Sequence, residues 1–214
     1  MARGSETQHN SSFDYVYHLT LDSRLACLDE GLNPNPGRGN TQEWKEKEVL
    51  IDKSRPKNIR ALGISRASSV FAHPEKAVAE GIINKLTGPN HEASQHLVSI
   101  EIEVNPDEVI VCDAFSMSFM HGAIKNGKKY KFSRETKKQA VEYWTRAMSL
   151  SQYRDSYRIC VDESGLECVK RDGAADNLPY VLLQPEVLIP GPIPAERIKW
   201  HSSSVYPAAS YVRW

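Results

Sequence analysis

The chain has 214 residues, 40% of them hydrophobic and 25% charged, enough for one well-buried domain of ordinary globular composition. Lys+Arg and Asp+Glu each number 27, and the resulting formal charge of zero argues against attachment to nucleic acid or an anionic membrane by bulk charge. No apolar run approaches the length of a membrane span, and residues 1–12 are polar and lack the apolar core of a signal peptide.

The first expected element is a β-branched and aromatic strand over Tyr15, Val16, Tyr17, His18, Leu19 and Thr20. Asp22 or Ser23 then caps a short helix with Leu25 and Leu28 on its apolar face, and Gly31, Pro34 and Pro36 stop it. Residues 37–58 are polar around one aromatic, Trp44, and read as a long surface loop with a helical turn near 43–49. Val70, Phe71 and Ala72 form a short buried strand, and Pro74 opens a helix through Ala77, Val78 and Ile82 to about Leu86.

Two strands follow, at 96–104 and 109–113, with Asn105-Pro106-Asp107 as the turn between them. Ser133 caps a helix from Arg134 to about Leu150, carrying Ala140, Val141, Trp144, Ala147 and Met148 on its apolar face. Strands return at 157–161, 167–170, 180–183 and 186–189, and Pro190, Gly191 and Pro192 end the last. This order predicts an α+β class. The expected organisation is a disordered tail at 1–12, one domain at 13–200 and a peripheral tail at 201–214.

Cys27, Cys112, Cys160 and Cys168 show no CxxC spacing. Cys27 and Cys112 lie in apolar stretches and read as packed thiols; Cys160 and Cys168 read as free, with a pair across a hairpin as the alternative. His73, His91, His96 and His121 match no ligand spacing, so no metal is expected. These readings predict a cytoplasmic protein.

Three segments together resemble the ADP-ribosyltransferase superfamily. Tyr17-His18-Leu19-Thr20 with Leu28 to Pro34 is similar to the opening strand and helix of diphtheria-toxin-like, polymerase-type and DarT-like members. Ser65 to His73 resembles the central strand. Gln184-Pro185-Glu186 with Val187 to Pro194 resembles the Gln-x-Glu loop and strand that carry the catalytic glutamate. The middle segment has Ser65, Ser68 and Ser69, as in arginine-type members, and lacks the tyrosine of the histidine type.

The resemblance implies two packed, mostly antiparallel sheets flanked by helices, and NAD as co-substrate. Breaking the nicotinamide–ribose bond develops oxocarbenium character, which the Glu186 carboxylate would stabilise electrostatically. His18 and Thr20 would bind the ribose, Ser65, Ser68 and Ser69 would support the glutamate or the nicotinamide ribose, and Arg66 would meet the pyrophosphate. Phe71 and Tyr157 are candidate platforms for nicotinamide, and core residues otherwise. Gln184, with a donor and an acceptor on one amide, would face the acceptor substrate.

The expected activity is transfer of ADP-ribose from NAD to a macromolecule, by a monomer. The run Lys125 to Arg134, with Tyr130 and Phe132 interleaved, is a solvated turn or, for a DNA or RNA acceptor, a phosphate-contacting patch. Alternatives of the same fold are an NAD glycohydrolase, an RNA 2′-phosphotransferase and an inactive NAD- or ADP-ribose-binding module.

Overall fold

Strands buried at every position must be covered on both faces, and three short runs meet that description: 69–72, 110–113 and 185–189. The computed structural model describes residues 13–34, 42–79, 96–118, 120, 124–126, 129–162 and 165–207. In chain order these give β1 (Asp14–Leu21), a 3-10 helix (Asp22–Glu30), α1 (Gln42–Lys53), α2 (Lys57–Ala61), β2 (Ser69–Ala72), β3 (His96–Val104) and β4 (Ile110–Asp113). Next come α3 (Phe115–Ser118), β5 (Ile124–Asn126), β6 (Lys129–Lys131), α4 (Arg134–Thr145), β7 (Met148–Ser149) and α5 (Leu150–Ser156). The chain ends on β8 (Tyr157–Asp162), β9 (Gly165–Lys170), β10 (Val181–Leu182), β11 (Pro185–Pro190) and β12 (Ile198–Pro207).

The result is a mixed α+β fold of antiparallel sheets. One sheet runs β2-β11-β4-β7, a second β1-β3-β12, a third β10-β9-β8, and β5 pairs with β6. The β2-β11-β4-β7 sheet is central. Val70, Ala72, Val111, Val187 and Ile189 pack from it into one core with Val16, Ile102, Tyr153, Tyr157 and Cys168. Phe71, Ile110, Cys112 and Leu188 alternate to the other face, against Ile51, Ile64, Tyr143 and Trp144 of the helical side. Glu186, opposite Cys112 in the ladder, falls on this second face by the same two-residue period.

Several expected elements stand as read from the sequence. β2 is buried throughout, and the 105–107 turn closes with Asp107 N–H donating to Asn105 Oδ1 at 3.1 Å. Ser133 Oγ accepts from Thr136 N–H at 3.0 Å as the α4 cap. Within the Lys125 to Arg134 run, β5 and β6 pair up to Asn126↔Lys129; residues 127 and 128 lie outside the described residues.

Others are corrected. Residues 42–53 and 57–61 are helices, where a long loop was expected. Their apolar stripe is interrupted by Glu48, which is itself buried, so the periodicity is concealed. The element after β1 is a 3-10 helix whose N-cap position is Leu21, not Asp22 or Ser23, with no side-chain cap there. α4 stops at Thr145, because the chain crosses the sheet edge as β7 and Ser149 caps a new helix, accepting from Gln152 N–H at 3.1 Å. On α4, Val141 is exposed, whereas Tyr143, omitted from the expected face, is fully buried. Cys27 is exposed rather than packed, and Cys160 and Cys168 sit opposite Glu167 and Ile159, both unbridged.

β12 runs on to Pro207 beside β3, so residues 201–207 belong to a sheet rather than to a peripheral tail. The Ser202-Ser203-Ser204 run has little strand character, and the ladder shifts register between Trp200 and Val205. Of the helix expected to open at Pro74, residues 74–79 are described and 76–79 are helical; Ile82 and Leu86 lie outside, as do 1–12, 208–214, His91 and His121. Among the described residues no helix is long and apolar enough to cross a membrane.

Candidate functional site

Glu186 places a carboxylate on a sheet face that is otherwise apolar, and a buried charge is tolerated only when paired. The partner is Arg66, whose Nη1 donates to Glu186 Oε1. Tyr143 Oη donates to the same oxygen at 2.5 Å, and Arg66 Nη1 also reaches Tyr143 Oη at 2.6 Å. Arg66 Nε lies 3.9 Å from Glu48 Oε1 of α1. The guanidinium sits over the Phe71 ring at 4.5 Å and the Tyr143 ring at 5.1 Å. Only 3% of Arg66 and 7% of Glu186 is exposed, so the pair is internal.

Local structure holds Arg66 there. Asp52, in the last turn of α1, accepts from Arg66 N–H at 2.9 Å and Ala67 N–H at 3.2 Å. Arg55 Nη1 donates to Ile64 O at 2.5 Å. Ser65 Oγ accepts from Ser68 N–H at 3.1 Å and lies 2.7 Å from Ser68 Oγ, closing a side-chain turn just before β2. Ser69 is fully buried, and its hydroxyl has no hydrogen-bond partner among the described residues.

Electrostatics follow from this packing. Burial alone would lower the Arg66 pKa, but the Glu186 carboxylate, with Tyr143 and Glu48, outweighs it and keeps the guanidinium charged. Burial raises the Tyr143 phenol well above its ordinary value, which keeps it a donor. Burial, and then the Glu186 carboxylate, also push the Cys112 thiol up, so Cys112 is no nucleophile at neutral pH.

The three sequence segments meet here. Tyr17 N–H donates to His73 O at 2.9 Å and His73 N–H to Tyr17 O at 2.7 Å, which joins β1 to the end of β2. Next to this bridge, His18 Nδ1 lies 2.6 Å from Phe71 O. β2 pairs antiparallel with β11, Phe71 opposite Leu188. Leu32 and Ile193 exchange two backbone hydrogen bonds of 2.8 Å, docking the first segment on the third. Gly31 makes that approach possible: at φ +84°, a Cβ there would lie 2.3 Å from Ile193 O.

Thus Arg66, Phe71 and Glu186 are gathered, with His18 against the Phe71 backbone and Thr20 buried two residues further along β1. Tyr157 is not gathered with them. It belongs to the opposite core, stacked on Tyr153 at 5.6 Å with its hydroxyl on Pro179 O at 2.8 Å. Gln184 is half-buried in the bend before β11. Fully buried Asp113 orders that bend, accepting from Gln184 N–H at 3.0 Å, while Ala114 N–H donates to Gln184 O at 2.8 Å.

Sequence reasoning missed Tyr143, Glu48, Asp52 and Asp113. An acid closing the apolar run Val109 to Cys112 was the visible signal for Asp113; Glu48 and Tyr143 gave none beyond helical spacing. Among the described residues no three His, Cys, Asp or Glu side chains could hold a metal together. One cavity of about 340 Å³ is lined by Val49, Asp52, Lys53, Arg55 and Arg60. Another of about 410 Å³ is lined by Leu25, Leu28, Asp29, Ala195, Ile198 and Trp200. Neither includes His18, Arg66 or Glu186. The chain matches no family model, no curated protein and no solved structure.

Proposed function

We propose that this chain has an ADP-ribosyltransferase-like fold and moves ADP-ribose from NAD to a macromolecular acceptor. The observation that carries the reading is convergence: residues 17–34, 65–73 and 184–194, distant in sequence, are joined pairwise by the Tyr17–His73 bridge, the β2–β11 ladder and the Leu32–Ile193 bridge. A strand histidine, an arginine and a strand glutamate from those segments end within one chain of contacts through Phe71.

On this reading Arg66 exchanges Glu186 for the pyrophosphate of NAD, which its planar fork suits. The freed carboxylate then faces the developing positive charge on the ribose, with Tyr143 holding its orientation. Gln184, at the edge of the same strand, meets the acceptor.

The burial of Glu186 favours one second reading, a module that binds NAD or ADP-ribose without turnover, because a carboxylate neutralised by Arg66 offers a cation little. Nicotinamide release separates the two. For the transferase, Glu186→Gln retains NAD binding while turnover falls by roughly 10² or more. NAD-dependent thermal stabilisation without nicotinamide release from the wild-type protein favours the module. Absence of both overturns the NAD reading.

A further inference from the structure

The segment between Lys53 and Pro74 carries Lys53, Arg55, Lys57, Arg60 and Arg66 and no acidic residue, in a chain whose net charge is zero. Arg66 is spent on Glu186 inside the protein. The others remain at the surface, where Lys53, Arg55 and Arg60 line the cavity of about 340 Å³ at the joint of α1 and α2. Lys57 lies on the same turn of α2 as Arg60, three residues earlier.

The hydrogen bonds of this joint fix Arg55 and Arg60 through backbone carbonyls. Arg60 donates through Nε to Arg55 O at 2.9 Å and through Nη2 to Lys53 O at 2.7 Å, and both acceptors are uncharged carbonyls. Arg55 donates to Asp52 O and Ile64 O in the same way. Asp52 is the one acid in the lining; it sits 3.7 Å from Arg55 Nε, and its two oxygens serve Arg66 and Ala67 N–H groups. Val49, exposed on α1, adds an apolar wall.

We infer that this cavity is a phosphodiester subsite that binds the backbone of a single-stranded nucleic acid. Preset guanidinium donors beside lysine charges match anionic phosphate oxygens, and the apolar wall suits the sugar between them. Repeating phosphates can meet Lys53, Lys57 and Arg60 in succession, whereas an acidic peptide offers its charges on independently mobile side chains. The subsite is argued from its own charges and does not depend on the NAD reading.

The test is fluorescence anisotropy of the full chain with a labelled 15-nucleotide single strand of mixed sequence, without NAD, across a salt series. Lys53→Glu with Arg60→Gln keeps donors on residue 60 and should raise the Kd tenfold or more. The slope of log affinity against log salt should shrink by about one to two, because each lost phosphate contact removes about 0.7. Lys57→Glu alone, a change at an exposed position, should weaken binding several-fold and guards against misfolding of the first variant. Arg158→Glu, on the exposed side of β8, alters charge by as much as Lys57→Glu and should leave the Kd within twofold. Unchanged affinity in both the Lys53→Glu/Arg60→Gln and the Lys57→Glu variants, an equal loss in Arg158→Glu, or equally strong competition by polyglutamate overturns the subsite. So does a loss of NAD affinity with oligonucleotide affinity intact, which would make the cavity a dinucleotide site.

Discussion

Glu186 decides the chemistry of its surroundings because it is a carboxylate on a buried sheet face. Arg66 and Tyr143 assemble around it, with Glu48 beside Arg66, so the cluster is both the candidate site and a stability determinant. Removing one member of such a pair costs more than replacing both, since the survivor is left buried and uncompensated. Arg66→Met should therefore lower stability by about 3–5 kcal/mol in urea unfolding. Arg66→Met with Glu186→Leu should recover a substantial part of that loss. Strict additivity of the two changes would show that the pair is not coupled. Tyr143→Phe removes one donor to the carboxylate and should cost about 1–3 kcal/mol.

At the scale of elements, the joints between segments matter more than the segments. The first segment reaches the third only because Gly31 has no Cβ, and Gly31→Ala should force Leu32 away from Ile193. A loss of about 1–3 kcal/mol is expected from the strained backbone alone, measured by chemical denaturation. If the chain tolerated alanine there without loss, the Leu32–Ile193 bridge would have no structural weight. Strands and caps were legible in the sequence where local chemistry dictates them: the apolar 70–72 run, the Ser133 cap and the 105–107 turn. α1 and the break between α4 and α5 were concealed. Glu48 occupies a core position through a distant arginine, and the Ser149-x-x-Gln152 cap lies inside a stretch that continues the helical pattern.

Across the whole molecule, protonated acids are buried in both cores. Burial pushes Cys168 up to about 11 from its ordinary 9.0 and Tyr157 up to about 12 from 10.0, and it also raises Cys112, Tyr143 and Tyr153. Each folded pKa lies above the unfolded one, so the stability each contributes is complete below the unfolded value and lost as pH rises through the folded one. The melting temperature should consequently fall from about pH 9 upward, steepest between 9 and 12, and a flat profile over that window would contradict the burial of these groups. Composition, turn and cap chemistry and two-residue alternation were enough to read an α+β chain with a buried strand at 70–72 and a further strand at 186–189, because those signals act between near neighbours. His18, Arg66 and Glu186 were picked out by the resemblance of their three segments to a known superfamily, not by these local signals. That Glu186 faces the helices, that Arg66 rather than solvent meets it, and that Tyr157 lies in the other core follow from strand register and helix docking. Those contacts span 43 to 120 residues, as in Tyr143–Glu186 and Arg66–Glu186, and no local pattern in the chain encodes them.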